Sequence, residues 1–331
     1  MPSRPPSSAP GRASAAHERF RVWEPVIRAF VATDDDAWAR LDTEDGPLAG
    51  VAVGVKDIVD VRGLPTRNGS AAFADAPPAA ADATLVAALR RAGAAIVGKT
   101  TSTEFAFIDP TDTRNPHAAS RTPGGSSSGS GAAVGAGVID LAIATQTAGS
   151  LCRPAAYCGA VGYKPGYGEY PMQGVAPLSV SFDTVGFIGR DMDVVRAAVR
   201  AVAGAPALPS GGRGDAAFAP PAIGLAAIDP AAPMTDPVRA ARAAAADAAA
   251  GLGCAVAAAG AAIDFAAIVA DHRCVMLHEA ARAHGHLLET AADRLRPLFA
   301  GALREGRDIG AADADAARGR LHAARERFWD A

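Results

Sequence analysis

Val51, Val53 and Val55 alternate with Ala52, Gly54 and Lys56, which is the two-residue period of a strand. The face that carries Lys56 also carries Ala52 and Gly54, so another part of the chain can approach it closely. Further on, Leu85, Val86 and Leu89 form an apolar helical stripe. Asp82 stands before it as an N-cap, and Gly93 suits the C-terminal cap. The apolar run 94–98 follows as a short buried strand, and this strand–helix–strand rhythm predicts an α/β fold. Helical character runs over 16–41 and ends ahead of the Gly46-Pro47 step. Residues 138–144 predict another strand. The second half is mostly helical, with a helix over 238–251 and strands near 222–226 and 254–258.

Residues 1–16 are rich in Pro, Ser and Ala and contain no apolar core of a secretory signal, so they read as a flexible tail ahead of a single domain over 17–331. Half of the 331 residues are hydrophobic, enough for a sizeable core. The net charge of −3 and the lack of a basic run beyond Arg90-Arg91 give no basis for binding nucleic acid. The apolar stretch 131–144 is too short to span a bilayer and contains Asp140. The four cysteines, Cys152, Cys158, Cys254 and Cys274, form no CxxC pair and read as free thiols of a cytoplasmic protein. His284 and His286 do not form a zinc-binding HExxH, and no metal site is expected.

Three segments carry candidate chemistry: Lys56 at the end of VAVGVKD, Ser126 in PGGSSSGSG, and Ser150 in TQTAGSLCRP. A serine hydroxyl is a weak nucleophile and needs a base. A lysine serves as that base only when neutral, a state that burial favours. Lys56 closes an apolar strand and meets that condition, although a strand-end lysine paired with Asp57 is the simpler reading. The Gly/Ser stretch admits several readings. It could be a phosphate cradle, although the Gly-Lys-Ser/Thr ending is missing. It could be a nucleophile elbow around Ser127, although loop rather than strand precedes it. It could also be a flexible linker, or a tight backbone that aims serine hydroxyls inward. Ser150 follows a strand and a glycine, and the N–H groups of 147–150 could converge on an oxyanion.

Taken together, PGGSSSGS, the spacing of 24 residues from Ser126 to Ser150, and RPAAYCGAVGYKP closely resemble the amidase signature family. VKDIVDVRGLPTRNGS and GKTTSTEFA resemble its N-terminal half, and the match runs from about Gly46 to Arg190. The resemblance implies a mixed central β-sheet flanked by α-helices on both faces. It implies a Ser–Ser–Lys triad with Ser150 as nucleophile, Ser126 as bridging serine after a cis peptide bond, and Lys56 as base. It also implies an oxyanion hole from the N–H groups of Thr147, Ala148, Gly149 and Ser150. No cofactor is implied. The substrate would be a small linear amide, and a homodimer is the expected assembly.

The chain departs from the family pattern in several places. Ala148 stands where glycine is common, Gln146 where many members have Asp, and Cys152 where many have Arg, with Arg153 next. This version resembles the malonamidase-like branch, in which the arginine at the Arg153 position meets a substrate carboxylate; the alternative is a structural arginine paired with an internal carboxylate. The family also continues past the region resembling RGRLHAARERFWDA, so the domain is expected to be incomplete at its C-terminus. Two further readings stay open: a shortened, inactive member, and the amidase subunit of a tRNA-dependent amidotransferase.

Overall fold

The computed structural model describes residues 12–203, 220–226, 234–259 and 264–329. The chain divides into two compact units, one within Met1–Leu208 and Glu279–Asp308, the other within Pro209–His278 and Ile309–Ala331. The sequence predicts a single domain over 17–331.

The larger unit contains α1 (Arg12–Ile27), β1 (Phe30–Thr33), α2 (Asp35–Arg40), β2 (Ala52–Lys56), α3 (Thr84–Arg91), β3 (Ala95–Thr100), α4 (Ser128–Gly135), β4 (Leu141–Gln146), α5 (Cys152–Tyr157), β5 (Val161–Tyr163), β6 (Thr184–Gly189) and α6 (Met192–Ala203). The smaller unit contains β7 (Ile223–Ala226), α7 (Asp236–Gly251) and β8 (Val256–Ala259), with β7 and β8 paired in parallel. The helix α8 (Phe265–His284) has residues in both units. After it, α9 (Leu287–Thr290) and α10 (Pro297–Asp308) belong to the larger unit and α11 (Ala311–Trp329) to the smaller.

The main sheet has the order β1-β3-β2-β4-β6-β5. Its centre is parallel, with β2 between β3 and β4, and its flanks are antiparallel. The expected mixed sheet with helices on both faces is therefore what forms. Central parallel strands are covered on both sides, and every residue of β2 is buried. Val53, Val55, Ile96 and Ile143 pack with Leu85, Val86 and Leu89 of α3 and with Val194 and Ala198 of α6. On the other face, Ala52, Ala142 and Ala144 pack with Ala132 and Ala133 of α4 and with Trp38 of α2.

This second face is built from small residues so that α4 can lie close to the strands. A Cβ on Gly54 would fall 2.7 Å from Ile139 Cδ1 and from Thr100 Cγ2. A Cβ on Gly129 would fall 2.1 Å from the Ala29 carbonyl oxygen and 2.4 Å from the Thr101 nitrogen, both backbone atoms that cannot rotate away. Gly129→Ala is therefore expected to destabilise the protein by about 3 kcal/mol through overpacking, read as a lower urea midpoint with an unchanged slope.

Several element boundaries differ from expectation. Residues 1–11 of the expected tail lie outside the described residues, and 12–16 are already helical in α1. The helical stretch 16–41 is interrupted: Arg28 turns left-handed at φ 52, and β1 pairs antiparallel with β3 before α2 begins. Cross-strand pairing on a sheet edge overrides the local helical preference there. Asp34 caps α2 by accepting from Ala37 N. Asp82 does not cap α3. Its carboxylate accepts instead from Arg62 N at 2.8 Å and from the Arg90 side chain at 3.0 Å.

Candidate active site

Strand alternation sends Lys56 and Asp57 in opposite directions. Asp57 is paired with Lys99 at 3.2 Å and also accepts from Arg67 N and Gly69 N. The simpler reading of Lys56 as the partner of Asp57 therefore fails. Lys56 is fully buried on the small-residue face, and its Nζ donates to Ser126 Oγ at 2.7 Å and to Thr145 Oγ1 at 2.8 Å. Burial disfavours its charged form and lowers its pKa from 10.5 to about 7, while the negative charge of Asp183 pulls it back upward. A lysine with such a pKa has a substantial neutral fraction at physiological pH.

Ser126 follows a cis Gly125–Ser126 peptide bond at the entry to α4. Its side chain is wholly buried, and its carbonyl accepts from Thr103 N at 3.0 Å. The next residue ties this loop to the other candidate serine: Ser127 N donates to Ser150 O at 3.2 Å, and Ser127 Oγ donates to Thr145 O at 3.3 Å. Ser127 is thus a buried brace, not the exposed tip of a strand–turn–helix elbow. Ser126 to Gly131 are all buried, so the Gly/Ser stretch is packed structure and not a linker.

Ser150 lies in the turn between β4 and α5 and is 7% exposed. Its hydroxyl makes no hydrogen bond among the described residues, so of the three candidate side chains the linked pair is Ser126 and Lys56. Around the turn, Arg153 N donates to Gly149 O at 3.0 Å. Gln146 Oε1 accepts from Leu151 N at 3.1 Å and Cys152 N at 2.9 Å, so this departure from the pattern holds the start of α5. The N–H groups of Ala148, Gly149 and Ser150 donate to no group among the described residues. Ala148 keeps a negative φ, as alanine at a glycine position requires. Thr147 Oγ1 donates to Asp183 Oδ1 at 2.6 Å.

A family model described as Amidase matches residues 12–211. The chain belongs to the amidase family. A glutamyl-tRNA(Gln) amidotransferase subunit from Symbiobacterium thermophilum is 42% identical over 209 residues, 58% of this chain and 43% of that protein. The chain thus spans less than half the length of this curated relative. Among solved amidase-fold structures, an inhibitor-bound vestigial protein complex, described as revealing the evolutionary origins of an s-triazine catabolic enzyme, is 28% identical with a TM-score of 0.82, covering 97% of this chain and 75% of that one. Native peptide amidase from Stenotrophomonas maltophilia is 26% identical with a TM-score of 0.72, covering 93% and 74%.

In this family member, the three residues singled out from sequence come together at the ends of the central strands β2 and β4 and at the entry to α4. The alternative of an internal carboxylate partner for Arg153 is not met among the described residues: its Nε and one terminal nitrogen donate instead to Gly125 O at 3.1 and 2.7 Å. Sequence reasoning missed Thr145 and Asp183. Thr145 was hidden as an ordinary polar residue at a strand end, and Asp183 reaches the site from the far side of the β5–β6 connection. No local pattern marks either. No helix among the described residues is long and apolar enough to cross a membrane.

Proposed function

We propose that this amidase hydrolyses a small linear carboxylic amide through an acyl-enzyme on Ser150. The reading is carried by the buried hydrogen bond between Lys56 and Ser126, 2.7 Å long, set beside a serine whose turn leaves three N–H groups undonated. Neutral Lys56 accepts the Ser126 proton as Ser126 accepts the proton of Ser150. Ser150 Oγ bonds to the amide carbon, and the carbonyl oxygen takes up the negative charge facing the N–H groups of Ala148, Gly149 and Ser150, with Thr147 at the rim. The proton returns along the same path to the leaving nitrogen, and the C–N bond breaks. Water then adds to the ester, releases the acid and restores the Ser150 hydroxyl.

The decisive experiment is labelling with a serine-directed fluorophosphonate. Wild-type protein is expected to be labelled and Ser150→Ala to be silent. A soluble, cooperatively folding wild type that resists the probe would reverse the reading and favour an inactive member of the family.

Arg153 supports a carboxylated substrate. The end of its guanidinium not held by Gly125 lies beside the turn, 3.7 Å from where a Gly149 Cβ would be, and a guanidinium suits carboxylate recognition. Arg153→Ala should raise KM about tenfold for malonamate-like amides and leave KM for neutral amides unchanged. An equal rise on both would show a purely structural arginine.

The 42% identity to an amidotransferase component favours a second reading, in which Ser150 releases ammonia from glutamine for a partner enzyme. Ammonia release from glutamine that exceeds release from simple amides would select it.

A further inference from the structure

Asp183 lies just before β6 and is 9% exposed. One of its carboxylate oxygens accepts from Thr147 Oγ1 at 2.6 Å, and the other accepts from Leu178 N at 2.7 Å and Ser179 N at 2.9 Å. The loop that carries these donors is held in turn by α8. Glu279 accepts from Ser179 Oγ at 2.5 Å, from Ser181 Oγ at 2.5 Å and from Ser181 N at 3.0 Å. His284 Nε2 meets Pro177 O at 2.7 Å. A buried carboxylate is costly unless its lone pairs are satisfied. Asp183 has three donors, and one of them, Thr147, is the first residue of the turn that presents the undonated N–H groups.

The same carboxylate bears on the base. On the face around Lys56, Thr145 of β4 and Ser126 contribute hydroxyls, and Thr100 of β3 and Ser130 of α4 hold each other at 2.7 Å. None of these carries a charge. Asp57 lies on the opposite face, neutralised by Lys99. Asp183 immediately precedes Thr184, which pairs with Gln146 of β4 next to the Thr145 that holds Lys56, and from there its negative charge favours the ammonium form of Lys56.

We infer that Asp183 is a positioning residue with two separable effects, one geometric, fixing the 147–150 turn through Thr147, and one electrostatic, through its buried charge. The inference rests on the proposed Ser150 chemistry. Asp183 touches no reacting atom. Its first effect is geometric, because donors misplaced by a fraction of an ångström lose much of their hold on an oxyanion. Its second is electrostatic and opposes the desolvation of Lys56.

Two variants separate the effects. Asp183→Asn keeps the shape, and its amide oxygen can still accept from Leu178 N and Ser179 N while its NH2 group meets the Thr147 hydroxyl. The turn is thereby retained and the charge removed. Thr147→Val removes the hydroxyl bond and retains the charge. The readout is the rate constant for fluorophosphonate labelling of the full chain across pH 5–9. Asp183→Asn should move the acidic limb of that profile to lower pH, because Lys56 loses the charge that stabilised its ammonium form. Thr147→Val should lower the plateau about tenfold with its limb in place. Both variants leaving both features unmoved, in chains that melt as wild type does, would overturn the inference. Labelling of the wild type alongside them shows that the Ser150 reading itself stands, whereas an unlabelled wild type would defeat that reading and this inference with it.

Discussion

Replacing Lys56 with methionine is expected to slow fluorophosphonate labelling of Ser150 by about 10⁴-fold, at the upper end of what a positioned general base contributes. Methionine follows the unbranched lysine stem through the same buried channel, so the loss reports on the amine and not on packing. Ser126 cannot replace it, because a serine hydroxyl with no base behind it relays a proton to nowhere. The wild-type labelling rate should rise with pH through about 7, where Lys56 loses its proton, and level off above. In Lys56→Met that limb should vanish along with the rate. A loss smaller than tenfold, or a persisting limb near pH 7, would remove Lys56 from the role of base.

The second large effect is on stability. Lys56 titrates near 7 in the folded protein and near 10.5 when exposed. Between these values the unfolded chain binds more protons than the folded one, so stability increases with pH. Below about 7 both states are protonated and the folded state carries the full cost of a buried ammonium group. Above 10.5 neither is protonated and the cost is gone. The slope from this one group approaches about 1.4 kcal/mol per pH unit in the middle of the window. Urea unfolding of wild type and Lys56→Met from pH 6 to 10 isolates it, since every other titrating group is common to both. The wild type should gain stability relative to the variant as pH rises. Parallel curves would mean that Lys56 stays charged in the folded state.

The two expectations are linked. The burial that would let Lys56 act as a base at neutral pH is the same burial that costs the fold stability there, a trade between activity and stability often met at catalytic groups. The neighbouring Asp57–Lys99 pair shows the other solution to a buried lysine. Lys99 keeps a carboxylate at 3.2 Å and also donates to Pro65 O and Thr66 Oγ1. It braces the loop after β2, whereas the hydrogen-bond partners of Lys56 among the described residues are hydroxyls, which leave it able to give up its proton.

Much of this was legible in the chain itself. The alternation over 51–56 located β2 and identified the face on which Lys56 lies, because period and residue size are local properties. The Gly/Ser stretch 124–131 left a tight backbone as one of several readings, and its motif with the spacing from Ser126 to Ser150 carried the family resemblance. Other features depended on partners distant in sequence. The break of the 16–41 helix came from an edge of β3 that its own residues do not encode. Whether Lys56 meets Asp57 or Ser126 was decided by which elements cover each face of β2, and the same packing placed Thr145 beside it. Asp183 joined the site only because β6 returns antiparallel along β4 and brings its leading residue to Thr147. Local sequence thus determined which side chains could do chemistry and which face each would take. The tertiary structure decided which groups they meet there, because hydrogen bonding and desolvation act between residues that only the folded sheet brings together.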